Sequence, residues 1–172
     1  MCIRDRYKSK ETKEVNFMDN SFANRAKIEA LKAGATFNNN ELCNLFQCSP
    51  QGGMRRSRRT NTLVLIRDYT GFNPYDDRWK EDVLLYTGMG LVGDQYFNTA
   101  QNKTLYFSGS STIGIHLFER KNRVYTYVGK VVLAAKPYYG RQSDSMGKDR
   151  QVCIFPLRLK KNENDKGYIV EG

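Results

Sequence analysis

Residues Tyr75 to Gln95 have the sequence YDDRWKEDVLLYTGMGLVGDQ, which joins an acidic aromatic turn, a short apolar run and a glycine-rich exit. The apolar run, Val83 to Tyr86, has the length of a buried strand. Two tyrosines and a carboxylate are therefore predicted near the ends of one short strand. Tyrosine rings stack on flat bases, and a carboxylate accepts hydrogen bonds from an exocyclic amine. The stretch thus indicates a nucleobase pocket in which an Asp contacts cytosine N4.

Further motifs flank this stretch in a fixed order. They are GGM at Gly52–Met54, NTLVL at Asn61–Leu65, QNKTL at Gln101–Leu105, VYTYVGKV at Val124–Val131 and CIFPLRL at Cys153–Leu159. Together with Tyr-x-Asp, Asp-Val-Leu-x-Tyr-Thr-Gly-x-Gly and Asp-Gln, they resemble the SRA domain (SET- and RING-associated, also called YDG) over roughly residues 50 to 160. The likeness is strongest to the bacterial branch fused to HNH nucleases in McrA-like, modification-dependent restriction enzymes. Members of the family flip a modified cytosine out of DNA and hold it in a pocket.

The predicted fold class is α+β, mainly β, with short N-terminal helices. Thr62 to Asp68 alternates and is β-branched, which predicts a strand. Val124 to Ala135 predicts a long strand that bends near Gly129. Tyr139 to Arg150 is polar and contains glycine, so a mobile loop is expected. Several strands joined by short turns favour a closed, bent barrel, and the resemblance implies a PUA-like β-barrel of this kind.

Four segments are predicted along the chain. Residues 1–13 form a disordered or non-native tail, because they lack an apolar period and begin like translated sequencing adaptor. Residues 14–48 form a helical N-terminal cap, in which Asn38 to Asn40 cap a helix from Glu41 to Phe46. A helix-turn-helix is the alternative there, although no basic recognition helix follows. Residues 49–160 form the SRA-like barrel, and residues 161–172 form a charged tail or linker.

The resemblance implies a base-binding pocket made of Tyr75, Asp77, Tyr86, Thr87 and Gly88. In such a pocket Tyr86 and Tyr75 stack on the two faces of the base, and Asp77 contacts its N4 amine. The loop between Tyr75 and Tyr86 is one residue shorter than in the family, so Trp79 or Tyr69 is an alternative for the second face. A core tyrosine at a strand end is the alternative for Tyr86.

The pocket chemistry favours cytosine over thymine, because an Asp carboxylate accepts from N4 but is repelled by the O4 acceptor of thymine. Burial of a 5-methyl group contributes only about 0.8 kcal/mol, or roughly fourfold in affinity. Selection of 5-methyl or 5-hydroxymethyl cytosine must therefore come partly from the shape of the pocket.

Base flipping leaves a hole in the duplex that a protein group has to fill. The resemblance places a base-flipping loop at Gly53, Met54 and Arg55, where Met is flexible and Arg can pair with the orphaned base. A second inserting loop of the family corresponds to the stretch between Met89 and Gln95. That stretch is short in this sequence, so insertion from both sides is not expected.

An arginine run follows the Gly-Gly loop. Four guanidiniums within five residues cannot lie unpaired in a core. Phosphate binding by Arg56, Arg58 and Arg59 is predicted from the bidentate geometry of Arg. A solvated charge run is the alternative, and the adjacency to the predicted flipping loop favours phosphate binding.

Composition supports a nucleic-acid partner. The net charge is +10, from 28 Lys and Arg against 18 Asp and Glu, which favours a polyanion. No apolar run approaches the ~20 residues of a membrane span, so no membrane is expected. The four cysteines form no C-x-x-C and His116 is the sole histidine, so neither a zinc site nor a cofactor is predicted. No secretory signal is seen in the sequence, so reduced, buried thiols in a cytoplasmic protein are expected rather than disulfides.

Three functions compete on this basis. The first is a module that binds double-stranded DNA carrying a modified cytosine, as the recognition part of a restriction system with a fused or associated nuclease domain. The second is an RNA-binding PUA-like module, which would show stacking aromatics on an open face. The third is a stand-alone enzyme. One histidine and the lack of a triad or metal cluster in the sequence argue against it, so a non-enzymatic binding domain is expected.

Overall fold

The computed structural model describes residues 22–70 and 77–171, and it places nine strands in one sheet. The strands are β1 Thr36–Phe37, β2 Met54–Ser57, β3 Thr62–Asp68, β4 Arg78–Lys80, β5 Val83–Thr87, β6 Gly114–Lys121, β7 Val124–Leu133, β8 Tyr138–Ser143 and β9 Asp149–Leu159. The helical segments are α1 over residues 22–29, α2 Asn39–Phe46, α3 Ala100–Tyr106 and a 3-10 turn Ser108–Ser110. The predicted class, mainly β with short helices, is confirmed.

Strand β3 lies at the centre of the packing because both of its faces are buried. Its alternate residues Leu63 and Leu65 enter one core, and Val64 and Ile66 enter a second core on the opposite face. The first core also contains Leu84, Tyr86, Phe155 and Leu157, and the second contains Ile28, Leu42, Phe46 and Phe118. Each fully buried side chain of this size contributes about 1.5–3 kcal/mol. β3 pairs antiparallel with β2 and parallel with β6, a pairing that the sequence did not predict.

Helix α2 begins at a capping box, as its sequence predicts. The Asn38 side chain accepts from the Glu41 amide at 2.8 Å, and the Glu41 carboxylate accepts from the Asn38 amide at 3.0 Å. This reciprocal pair satisfies two amides that the helix leaves without partners. The buried face of the helix, Leu42 and Phe46, then covers the second core against β3 and β6.

Strand β7 bends at Gly129, also as predicted. Gly129 has a φ of 148°, a conformation that side chains rarely adopt, and a Cβ there would lie 3.1 Å from Leu159 Cδ2. β7 pairs with β6 as far as Lys130, with a register shift between Leu117 and Phe118, and from Val131 onward it pairs with β9. The bend thus lies where β7 connects the β2-β3-β6 half of the sheet to the β9-β5-β4 half.

The prediction of a closed barrel is wrong. The strand order is β2-β3-β6-β7-β9-β5-β4, so the described strands form an open sheet with β2 and β4 at its ends. β4 and β5 form no backbone ladder with β2, β3 or β6, and side-chain hydrogen bonds connect them instead. The Tyr86 hydroxyl of β5 lies 2.9 Å from the Gly53 carbonyl oxygen and 3.1 Å from that of Ile66. Trp79 of β4 donates to Glu119 of β6 at 3.3 Å.

Two segments predicted to be loose are ordered. Tyr139 to Arg150, predicted as a mobile loop, is mostly a β8–β9 hairpin, and its turn is tied by Asp144, which accepts from the Met146 and Lys148 amides. The segment 161–171, predicted as a charged tail or linker, packs on the sheet. Arg158 pairs with the Asp165 carboxylate at 2.5 and 2.9 Å, and Val170 is buried in the first core. The polar residues of both segments satisfy backbone groups, which composition alone does not reveal.

Candidate base-recognition site

Asp77 stands at the entrance of β4, and two contacts fix its position. The Arg67 guanidinium at the end of β3 donates to the Asp77 carbonyl oxygen at 3.1 and 3.3 Å. The Asp77 carboxylate accepts from the Thr87 amide at 2.6 Å. The Thr87 hydroxyl is 2.9 Å from the Gln142 side-chain amide of β8. Residues of β3, β5 and β8 therefore meet around Asp77 and Thr87, and the half-buried Asp77 carboxylate itself contacts the Thr87 amide at the end of β5.

This carboxylate is placed to accept hydrogen bonds from a ligand amine. A carboxylate can accept several hydrogen bonds at once, and the Thr87 amide donates one of those that the Asp77 carboxylate accepts. Asp77 and Thr87, two of the predicted pocket residues, are therefore brought together in a geometry that suits an exocyclic amine.

Tyr86 lies beside this site but within the core. Its side chain is 2% exposed and packs among the apolar residues of the first core. Its hydroxyl reaches the Gly53 and Ile66 carbonyl oxygens, so it links β5 to the Gly-Gly loop. In this conformation Tyr86 has the core position that the sequence left as the alternative. A stacking role requires one face of the ring to be uncovered.

Gly88 leaves no room for a side chain, because two buried side-chain amides pack against it. A Cβ at Gly88 would lie 2.6 Å from Asn102 Oδ1 and 3.0 Å from Gln95 Oε1. Gln95 donates to the Gly88 and Gly90 carbonyls and accepts from the Cys153 amide, and Asn102 accepts from the Met89 amide. These two amides hold the start of the loop after β5. The sequence signals them only as Asp-Gln and Asn-x-x-Leu motifs, without a role.

The loop over residues 88–95 carries an exposed apolar tip. Leu91 is 56% exposed and Val92 is 64% exposed. Buried Arg150 donates to the Gly90 and Gly93 carbonyls at 2.6 and 3.0 Å, on either side of the tip. The β8–β9 turn braces the loop as well, because the Ser145 amide donates to the Leu91 carbonyl. Met146 of that turn is itself 74% exposed, so two joined loops present apolar side chains to solvent.

The sequence matches the family described as "ScoMcrA-like, SRA domain" over residues 33–167. The chain belongs to the ScoMcrA-like SRA domain family. No curated protein matches the sequence.

Solved structures share the fold of this SRA domain. The sulfur-binding and SRA domains of ScoMcrA complexed with phosphorothioated DNA match with a TM-score of 0.64 at 16% identity, covering 80% of this chain and 43% of that chain. The type IV phosphorothioation-dependent restriction endonuclease ScoMcrA matches with 0.64 at 15% identity, covering 80% and 30%. The SUVH5 SRA domain complexed with hemi-methylated CG DNA matches with 0.57 at 22% identity, covering 77% and 90%. The chain thus spans less than half of the two ScoMcrA chains.

The predicted flipping loop of this SRA domain is placed differently from expectation. Met54 and Arg55 belong to β2, where pairing with Leu65 and Val64 turns both side chains inward. Arg55 is 3% exposed and donates to the Gly52 carbonyl at 2.8 Å and to Asn39 Oδ1 at 2.7 Å. Met54 is part of the first core. Neither side chain protrudes, so the assignment of Met54 and Arg55 to insertion is corrected, and of the predicted trio only Gly53 remains in the loop.

The three other arginines of the run differ among themselves. Arg56 is half-buried, and its guanidinium donates to the Ser57 carbonyl at 2.6 Å and to the Thr62 carbonyl at 3.1 Å. Burial and the neighbouring Arg58 lower the pKa of Arg56. Arg58 and Arg59 are exposed on the β2–β3 turn. Phosphate binding therefore stays a prediction that suits Arg58 and Arg59 better than Arg56.

Two further points complete the site. Tyr75, the predicted second stacking residue, lies outside the described residues. Within residues 22–70 and 77–171, no group of three or more His, Cys, Asp or Glu side chains could hold a metal ion, and no helix is long and apolar enough to cross a membrane.

Proposed function

We propose that this SRA domain binds double-stranded DNA carrying a modified cytosine and holds that base, flipped out of the duplex, at Asp77 and Thr87. The observation that carries the proposal is the carboxylate of Asp77 fixed on the Thr87 amide at the end of β5. Solved relatives lend support: SUVH5 SRA structures carry hemi-methylated, fully methylated and hydroxymethylated CG DNA. The net charge of +10 agrees with a polyanionic partner.

Recognition of the base rests on the acceptor character of Asp77. The N4 amine of cytosine donates to a carboxylate, whereas the O4 of thymine meets it acceptor to acceptor. The Thr87 amide holds the carboxylate in place before DNA arrives, so little ordering is left to pay on binding. Tyr75 remains the proposed stacking residue for one face of the base, and Tyr86, whose ring is 2% exposed in the first core, supports the site by holding the Gly-Gly loop.

The apolar tip of the 88–95 loop fills the hole in the duplex. Leu91 and Val92 are the exposed side chains on a loop that Arg150 and the β8–β9 turn hold in shape. Apolar wedges of this kind insert between base steps at a cost of a few kcal/mol of unstacking. This role replaces the one that the sequence indicated for Met54 and Arg55.

Recognition is the role of this chain, and cleavage belongs to a nuclease domain fused to it or associated with it. A ScoMcrA chain named as a restriction endonuclease, of which this chain spans 30%, motivates this part of the proposal. Nothing in the comparisons supports the RNA-binding alternative. Purified chain with methylated plasmid and Mg²⁺ or Mn²⁺ should shift the DNA on a gel and leave it intact. Metal-dependent nicking by the purified chain would contradict the proposal that cleavage belongs to another domain.

The experiment that tests flipping places the fluorescent analogue 2-aminopurine directly beside the modified cytosine of a duplex. The analogue brightens when its neighbour leaves the base stack, so specific binding should raise its fluorescence. A matched duplex with the analogue outside the binding site is the control, and a single-stranded RNA of the same sequence tests the RNA alternative. Tight binding without brightening would refute flipping, and tighter binding to RNA than to modified duplex would refute the choice of partner.

A further inference from the structure

Arg67, near the end of β3, connects Asp77 to an exposed tyrosine. Its guanidinium donates to the Asp77 carbonyl oxygen at 3.1 and 3.3 Å. The same guanidinium lies over the ring of Tyr69, with its central carbon 4.2 Å from the ring centroid. A cation–π contact extends to about 6 Å, so this pair is a close one. Tyr69 and Asp77 are therefore neighbours of one and the same side chain.

Several contacts fix the orientation of the Tyr69 ring. Its hydroxyl donates to Glu119 Oε1 at 3.4 Å, and its backbone amide donates to the Arg120 carbonyl at 2.8 Å. Glu119 is held in turn by Arg67, whose Nη1 lies 3.6 Å from the same carboxylate oxygen. A side chain that is ordered before its ligand arrives loses less freedom on binding. The Tyr69 ring is therefore preorganised beside the residue that holds Asp77.

Tyr69 differs from the other aromatic candidates near Asp77 in its exposure. It is 48% exposed, although the Arg67 guanidinium covers one face of its ring. Tyr86 is only 2% exposed and lies in the first core. Trp79, the other alternative that the sequence offers for the second face of the base, packs against the first core. Of these three rings, Tyr69 is the one that a base can reach without displacing core residues.

The Asp77 side chain faces the side of β4 on which Tyr69 lies. Asp77 immediately precedes β4 and stands two residues before Trp79, and side chains two residues apart point to the same face of an extended chain. Trp79 Nε1 donates to Glu119 Oε1 at 3.3 Å, the oxygen that also accepts from the Tyr69 hydroxyl. A carboxylate that can accept from a base and a ring that can stack on it therefore lie on one side of the sheet.

We propose that Tyr69 is a further base-binding residue, which stacks on one face of the flipped cytosine while Asp77 accepts from the N4 amine. The inference rests on the proposed function, in which Asp77 holds the base, and it leaves the opposite face to Tyr75. The base forms the third layer of a stack that begins with the Arg67 guanidinium and the Tyr69 ring. Every base has a face on which an aromatic ring can stack, so Tyr69 supplies affinity and Asp77 supplies the choice of base.

The test measures binding of the full chain to three duplexes, which carry 5-methylcytosine, thymine or an abasic site at the target position. Tyr69→Leu should bind the methylcytosine duplex roughly tenfold more weakly than the parent chain, as expected for the loss of one base–aromatic stack. It should bind the abasic duplex like the parent, because that duplex offers no base to stack on. Tyr69→Phe keeps the ring and should restore most of the affinity. The matched control is Tyr168→Leu, at a tyrosine that is 41% exposed and is bound to Leu133 instead.

The choice of base separates stacking from an indirect effect on Asp77. The ratio of Kd values for the thymine and methylcytosine duplexes should keep its parent value in Tyr69→Leu, whereas Asp77→Asn should lower it. The stacking role would be overturned, with the Asp77 pocket intact, if Tyr69→Leu bound the methylcytosine duplex like the parent, or if Tyr69→Phe were as weak as Tyr69→Leu. It would also be overturned if Tyr69→Leu lost the ratio or lost equal affinity for the abasic duplex. A parent chain without preference for methylcytosine over thymine would refute the proposed function, and the role of Tyr69 with it.

Discussion

The two glycine loops of this domain, residues 51–54 and 88–95, are built alike and yet present different surfaces. A buried arginine donates to glycine carbonyls in each of them: Arg55 to Gly52, and Arg150 to Gly90 and Gly93. After Gly53 the chain enters β2 at once, so the next two side chains, Met54 and Arg55, are buried. After Gly90 no strand begins, and the loop leaves Leu91 and Val92 in solvent. Glycines and a buried arginine thus indicate a loop of fixed shape. Strand pairing determines whether the side chains of that loop are exposed and can contact DNA.

The largest effect is expected from removing the arginine that holds the 88–95 loop. Arg150→Met leaves the Gly90 and Gly93 carbonyls without their donor, and the free energy of unfolding should fall by about 3 kcal/mol. Arg55→Met is the matched variant and should cost about 2 kcal/mol, because one carbonyl and the Asn39 amide lose a donor. Urea denaturation measures both losses.

Arg150→Met and Arg55→Met should also differ in their preference for modified DNA. Measured below the unfolding transition, Arg150→Met should lose its preference for modified duplex, and Arg55→Met should keep it. If both variants lost the preference for modified duplex equally, the two loops would not differ in their role in DNA binding.

A smaller effect is expected at the apolar tip. The double variant Leu91→Ser and Val92→Ser should weaken binding to modified duplex by about 2 kcal/mol, or roughly thirtyfold in Kd, because two apolar side chains no longer enter the base stack. Its stability should change by less than about 0.5 kcal/mol, since both residues are exposed. The matched variant Met54→Leu conserves volume in the core and should leave the Kd unchanged. If Met54→Leu weakened binding to modified duplex more than the double variant did, the inserting loop would be residues 51–54 and not residues 88–95.

The smallest effect concerns the arginine run beside the first loop. Arg58→Gln and Arg59→Gln should each lower the slope of log K against log salt by about 0.9, because each exposed guanidinium releases one phosphate counterion. Arg56→Gln should leave the slope unchanged, since its guanidinium already donates to the Ser57 and Thr62 carbonyls. Binding measured across a salt series checks all three. Unchanged slopes for Arg58 and Arg59 would make the run a solvated surface.

Local patterns predicted much of this fold. The alternation of Thr62 to Asp68 gave the limits of β3, Gly129 gave the bend in β7, and Asn38 gave the cap of α2. The parallel pairing of β3 with β6 stayed hidden, because it joins residues more than fifty positions apart and leaves no local signal. The open sheet was missed for the same reason.

The site was predicted in part. The resemblance to the SRA family implied a pocket shared by Asp77 and Thr87, and a hydrogen bond joins these two residues in the structure. The burial of Arg55 could not be foreseen, because an arginine run is usually exposed and this guanidinium finds its partners in α2 and in the preceding turn. Arg150 was missed because its polar surroundings were interpreted as a mobile loop, whereas the β8–β9 ladder places it beneath the 88–95 loop.

The central claim is that the Asp77 carboxylate contacts the flipped cytosine, and Asp77→Asn tests it most directly. The substitution keeps size and shape but replaces one acceptor oxygen with a donor amide, which faces the N4 amine donor to donor. Without this contact the pocket no longer holds the flipped base and only contacts to the DNA backbone remain, so the ratio of Kd values for unmodified and methylated duplex should fall to near one in Asp77→Asn. Asp82→Asn, the charge-matched change at an exposed acid, should keep the parent ratio. An Asp77→Asn chain that is folded and retains the full preference for methylated DNA would contradict the account.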